Sequence, residues 1–309
     1  MVTFSSPEEM SALLTGWAGD VTLLLCEPSM VGGFYSFNYP AATHALLEEW
    51  CTTARASAAD DLFGTLPHHV VIWGQSVADA WVRELPASVR LADLWVIERG
   101  AHAGSVVAST SLRSTSVRSL AVASWGLLSL PESIGELTAL TSLDLRGCWS
   151  LTGLPDWMGQ LAALTSLDLG DCSSLTELPE SMGQLTALTR LGLSWCKSLT
   201  VLPESMGQLT ALTSLNLRDC QSLTGLPESM GQLTALTSLN LSSCRSLTEL
   251  PEWLGQLTAL TSLDLSECSS LTVLPEGMGQ LAALTSLDLR VCSSLTVLPE
   301  SMGQLTALT

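Results

Sequence analysis

From Leu130 to Thr309 the chain repeats itself every 24 residues, and this period limits its fold more than any other feature. Seven full copies begin at Leu130, Leu154, Leu178, Leu202, Leu226, Leu250 and Leu274, and an eighth, from Leu298, stops halfway. A period in this range means a solenoid, because a recurring unit too small for its own core buries its apolar residues against its neighbours. In the first copy Leu140, Leu143, Leu145, Cys148, Leu151 and Leu154 fall in the pattern L-x-x-L-x-L-x-x-C-x-x-L-x-x-L-P. Leu143 and Leu145 alternate with polar residues, as a short strand with one buried face does. Pro155 cannot donate to a ladder and halts the sheet path. The segment DWMGQLAAL then turns back through a short helical stretch that buries Met158, Leu161 and Leu164.

About eight side chains per coil point inward, each contributing roughly 1.5–3 kcal/mol when fully buried. Ordering the backbone costs about 1–2 kcal/mol per residue. One coil therefore cannot fold alone. Stacking covers each coil with the next, sets the strands about 4.8 Å apart in a parallel sheet, and makes stability a sum over neighbours. The expected class is α/β: a solenoid with a parallel sheet on its concave face and short helical turns on its convex face.

Apolar residues make up 47% of the chain and charged ones 14%, with no apolar run long enough to span a bilayer. No membrane association is expected. The start, MVTFSSPEEM, lacks the basic residues and long apolar segment of a secretory signal, which points to the cytoplasm. The net charge is −18, divided as 18 acids against 6 bases from Leu130 onward and 12 against 6 before it. Phosphates need clustered Lys and Arg, and Lys197 is the single lysine, so nucleic acid is excluded and a basic protein surface is the expected partner. Of nine cysteines, seven recur once per coil, from Cys148 to Cys292, as expected of a column of reduced, buried thiols. A straight column does not converge tetrahedrally on zinc, and no metal or cofactor is expected. Cys26 and Cys51 match no motif. The sequon at Asn240 falls on a repeat strand and reads as chance.

Residues 1–65 show no repeat. SPEEMSALL from Ser6 and YPAATHALLEEWCTTARA from Tyr39 read as helices, and VTLLLC from Val21 as a buried strand. The region is either a small α/β domain or a cap on the first coil. Residues 66–129 resemble worn repeats, with strand-like runs at VVIWG, LADLWVIERG and VRSLAVASW; a separate α/β domain is the rival reading. The regular array occupies 130–309. Its last residues, LTALT, leave a coil half built, which points to a longer parent chain.

The motif LPESIGELTALTSLDLRGCWSLTGLP resembles the leucine-rich repeats of plant-type intracellular disease-resistance receptors, with Cys where many such repeats carry Asn, and also those of plant intracellular Ras-group proteins. The resemblance implies a concave sheet that binds proteins or restrains a signalling domain. Such receptors also carry a nucleotide-binding domain, whose phosphate loop needs Gly-x-x-x-x-Gly-Lys-Ser/Thr. The only lysine lies within a repeat, so that loop is absent from this sequence. The chain therefore reads as a protein-interaction module or, alternatively, as the sensing arm of an immune or signalling receptor.

No catalytic group is expected. The four histidines, His44, His68, His69 and His102, precede the array without metal-ligand spacing, and the serines lack a nucleophile-elbow context. Variation among the copies gathers at outward strand positions. One column contains Asp144, Asp168, Gly192, Asn216, Asn240, Asp264 and Asp288, and a neighbouring one places Arg146, Arg218 and Arg290 at every third coil. Carboxylates about 5 Å apart repel, so the Asp264–Asp288 pair favours a cation, from Arg290 or from a partner. The third coil offers Arg190, Trp195 and Lys197 around Gly192, with Trp149 about 10 Å away, an arrangement suited to an interface anchor. Trp157 and Trp253 fall on the helical side as covers for the core. Three columns over seven strands make 21 positions, the size of one side of a protein interface.

Overall fold

The computed structural model describes residues 117–308 other than 125 and 131, preceded by the backbone of four strands. Among the described residues, twelve parallel strands form one sheet: β1 (Val2–Thr3), β2 (Asp20–Cys26), β3 (His69–Trp73), β4 (Arg90–Glu98), β5 (Ser119–Ser124) and then one strand per coil. The coil strands are β6 (Ser142–Asp144), β7 (Ser166–Asp168), β8 (Arg190–Gly192), β9 (Ser214–Asn216), β10 (Ser238–Asn240), β11 (Ser262–Asp264) and β12 (Ser286–Asp288). From β4 onward neighbours in sequence are neighbours in the sheet. Register advances by one repeat per strand: Leu143 faces Leu167, which faces Leu191. This is the leucine-rich-repeat solenoid, with a parallel sheet on one side and short turns on the other.

The first six coils bury the same set, and the seventh leaves Leu287, Leu289, Cys292 and Leu295 partly exposed. In the third coil the set is Leu178, Met182, Leu185, Leu188, Leu191, Leu193, Cys196 and Leu199, all in a single continuous core. Each coil strand, β6 to β12, turns its central leucine inward and leaves its flanking residues at least partly exposed. The proline after each coil is extended, as at Pro179 with φ −72° and ψ 150°, and its carbonyl accepts the Met182 N–H at 3.0 Å. The return stretch is thus a five-residue 3-10 turn, Glu180–Gln184 in this coil, rather than an α-helix. Close stacking of these turns fixes their glycine: a Cβ on Gly183 would lie 2.7 Å from the Ser205 carbonyl oxygen. Trp253 is 4% exposed and Trp157 packs on the core, both on this side.

The first strands do not follow coil order. β2 lies between β3 and β4, whereas a simple solenoid adds each strand outside the last. LADLWVIERG and VRSLAVASW take successive places leading into β6, but VVIWG sits one strand further out, on the far side of β2 from β4. That inversion is the kind of order found in open α/β sheets. The helices expected from Ser6 and Tyr39, the histidines' side chains, Cys51, and the boundary at 65 lie outside the described residues or their described side chains.

Candidate functional site

The strand side is organised by polar columns, most of them tied to the backbone. Thr165 Oγ1 donates to the Thr141 carbonyl at 2.9 Å, and Thr189, Thr213, Thr237, Thr261 and Thr285 repeat this bond to the preceding coil at 2.9–3.0 Å. The cysteines run beneath. Cys172 Sγ donates to the Leu145 carbonyl at 3.3 Å, and the same bond continues down the column to Cys292, at 3.1 Å from Leu265. Burial pushes these thiols up, to about 12 for Cys196, so they stay protonated and inert.

The Asp and Asn column, expected to invite a partner's cation, is half-buried and occupied at home. Asp144, Asp168, Asn216, Asn240, Asp264 and Asp288 each accept, through Oδ1, the backbone N–H two residues on, at 2.9–3.1 Å. These are Asx turns that satisfy the strand exits. Asp264 also takes the Ser266 hydroxyl at 2.7 Å. Arg290 lies on Asp288, with Nη2 at 2.5 Å, and holds that carboxyl below its usual range. Arg146 grips Asp144 at 2.6 Å and reaches Asp168 at 3.6 Å. Burial raises the Asp168 carboxyl, the Gly170 N–H opposes the rise, Asp144 adds to it and Arg146 opposes it. Arg218 turns away from the column to Asp219, at 3.3 Å.

Three residues past this column the backbone is left-handed in every coil. Gly147 has φ 76°, and Asp171, Trp195, Asp219, Ser243, Glu267 and Val291 follow at 59–64°. For L residues this conformation costs roughly 1–2 kcal/mol each. Bonds to the next coil accompany it in the first six coils: the Trp195 N–H donates to the Arg218 carbonyl at 2.7 Å, and the Asp171 N–H to that of Ser194. The side chains carried here differ in charge, size and polarity; Asp171, Trp195, Glu267 and Val291 are exposed along the strand-exit rim, whereas Asp219 and Ser243 are buried. Nothing in the residues announces it, because only the first coil has the glycine that usually marks such a position.

Of the expected anchor residues, the structure places Arg190 exposed at the start of β8, Trp195 on the rim at 37% exposure, and Lys197 Nζ 5.0 Å from the Trp195 ring centroid. Trp149 is 44% exposed two coils away. The Asp171 carboxyl beside them is raised by burial and lowered by Lys197 and Arg146. Charge divides between the two sides. All six bases of the array lie between strand start and strand exit, facing seven acids there; the other eleven acids lie on the connecting and return segments. Among the described residues no cluster of metal-ligating side chains occurs and no helix is long and apolar enough to cross a membrane.

Comparison with known proteins agrees with this geometry. Residues 132–246 match the family model described as a leucine-rich repeat region. The leucine-rich repeat domain of the type III effector XopL superposes with a TM-score of 0.54 at 24% identity, over 84% of this chain and 86% of that one. The ectodomain of the Arabidopsis receptor kinase HAESA, in complex with an N-terminally extended IDA peptide hormone, gives a TM-score of 0.46 at 24% identity, covering 65% of this chain and 34% of that chain. A second HAESA structure, with IDA and the co-receptor SERK1, gives 0.46 at 25% identity with the same coverage. No curated protein matches the sequence.

Proposed function

We propose that this leucine-rich repeat protein is a non-enzymatic interaction module that works in the cytoplasm and holds a protein partner on the strand side of its solenoid. The observation that carries the reading is the third coil, where an exposed tryptophan on strained backbone carries a lysine stacked on it, with an exposed arginine at the start of the same coil's strand. Trp and Arg dominate interface energetics when a partner desolvates them. The strand face, with seven acids against six bases, suits a partner of mixed charge, and the acidic return side supplies the field that steers a basic protein toward the chain. The motif with Cys at the Asn position, shared in kind with disease-resistance receptors, supports a narrower version in which the array is the sensing arm of an immune or signalling receptor.

Affinity capture with the native chain and with Arg190→Ser/Trp195→Ser/Lys197→Ser, followed by titration of each purified partner, tests the reading. Partners lost by at least ten-fold in the triple variant are expected. Equal binding of every partner to both folded proteins would remove the third coil as the anchor.

A further inference from the structure

The six bases on the strand side of the array differ in what they touch. Arg146, Arg218, Arg245 and Arg290 each lie on a carboxylate, at 2.6, 3.3, 3.5 and 2.5 Å. Lys197 lies on the Trp195 ring and comes near enough to Asp171 to lower its carboxyl. Arg190 has neither kind of neighbour. It is exposed, its side chain makes no ion pair or hydrogen bond among the described residues, and neither Asp168 nor Asp171, one coil away, is lowered by it. The other six coils begin this strand with serine, so Arg190 stands between the short side chains of Ser166 and Ser214.

In water an exposed guanidinium needs no counter-charge. Under an interface it does, because a charge taken out of water unpaired is strongly penalised. Five residues lead from Arg190 to Trp195, at most about 17 Å of chain, and the path turns at Ser194 and Trp195. A protein interface of standard size, about 800 Å² on each side, makes a patch roughly 30 Å across, so a partner centred on Trp195 covers Arg190 as well. The four paired arginines bring their own carboxylates under such a partner; Arg190 brings none.

We infer that the partner lays an aspartate or glutamate carboxylate on the Arg190 guanidinium and an apolar side chain against the Trp195 ring, while Lys197 stays balanced by Asp171. This rests on the reading that the strand side binds protein, and it adds the chemistry that protein brings to the third coil. A planar guanidinium matches a carboxylate through two parallel hydrogen bonds. A cationic side chain would be repelled, and a phosphate would carry a second negative charge toward Asp168, which lies one strand over. A partner that is basic overall, as the acidic return side favours, needs only this one acidic contact.

A phage-displayed random-peptide library panned on the full chain supplies the probes. Selected peptides are titrated against the native chain and against Arg190→Gln, Lys197→Gln, Arg245→Gln and Trp195→Ser. Arg190→Gln should weaken binding by roughly ten-fold, the value of a charge-assisted pair of hydrogen bonds. Lys197→Gln and Arg245→Gln, whose charges are already met, should each stay within about three-fold of native. Exchanging the peptide's Asp and Glu residues one at a time for Asn and Gln should find one position that weakens native binding by the same factor as Arg190→Gln and leaves the binding of Arg190→Gln itself unchanged. The exchange on the peptide is read on the native chain and decides the matter alone if Arg190→Gln fails to fold. Peptides that lose binding with Trp195→Ser but bind folded Arg190→Gln as tightly as native, or that tolerate the exchange at every acidic position, overturn the contact and leave the strand side as a binding face. If selected peptides are indifferent to both Trp195→Ser and Arg190→Gln, or the folded chain enriches no peptide, the contact and the wider reading fall together.

Discussion

The strand side and the return side of each coil are built from the same 24 residues and solve opposite problems. The return side is a row of 3-10 turns packed through glycine and backbone, with carboxylates that partly serve its own stacking: Glu180 accepts the Ser205 N–H at 3.0 Å, and Glu252 that of Gly277 at 2.9 Å. It tolerates little change in shape and carries most of the excess negative charge. The strand side settles its polar groups internally through threonine, cysteine and Asx columns, which frees the rim beyond them to vary. The lesson is that outward residues differ in kind: some hold the coil's backbone, and others are left over for a partner.

Several changes would break or sharpen that contrast. Leu215→Ala, which cuts the core under the middle strand, should cost about 2–5 kcal/mol, whereas Met230→Leu on the return side should cost below about 1.5 kcal/mol; urea unfolding measures both. Alkaline pH should act through the strand side. The Cys196 and Cys268 thiols ionise near 9.0 when unfolded and are raised to about 12 in the fold, so the stability they give is full below pH 9 and drains as pH rises toward 12. A melting temperature that falls over this window, and falls less steeply in Cys196→Ala, is the expected result. Thr213→Val removes one rung of the threonine column, bonded at 2.9 Å, and should cost about 1 kcal/mol by chemical denaturation. Smallest in stability is Trp195→Gly. Release of left-handed strain should make it neutral or more stable by up to about 1 kcal/mol while it weakens partner binding. A loss of several kcal/mol there would mean that Trp195 serves the fold.

The repeat was plain in the sequence because Leu, Pro and Cys recur at fixed spacing and nothing else satisfies that period. The positions of β2 to β6 were also readable as apolar runs. Their order was not: no residue in VVIWG records that β2 comes between it and β4, since crossovers are written in long connections rather than in strands. The Asp and Asn column was visible as a column, but its charge suggested a partner's cation where geometry assigns the side chains to the N–H two residues on. The left-handed rim was hidden because six residues other than glycine occupy it. Gly192 was legible as a gap beside Trp195, yet in the fold the Asp168 carboxylate fills it, since a Cβ there would lie 2.6 Å from Oδ1.

The most direct test of the central claim, that partners bind the strand side, is carboxyl labelling of the full chain with and without a peptide selected against it, read residue by residue by mass spectrometry. Binding should protect Asp171 and its neighbours along the strand-exit rim and leave the return-side acids Glu204, Glu228 and Glu276 labelled as before. Protection of those glutamates with Asp171 unchanged would contradict the account.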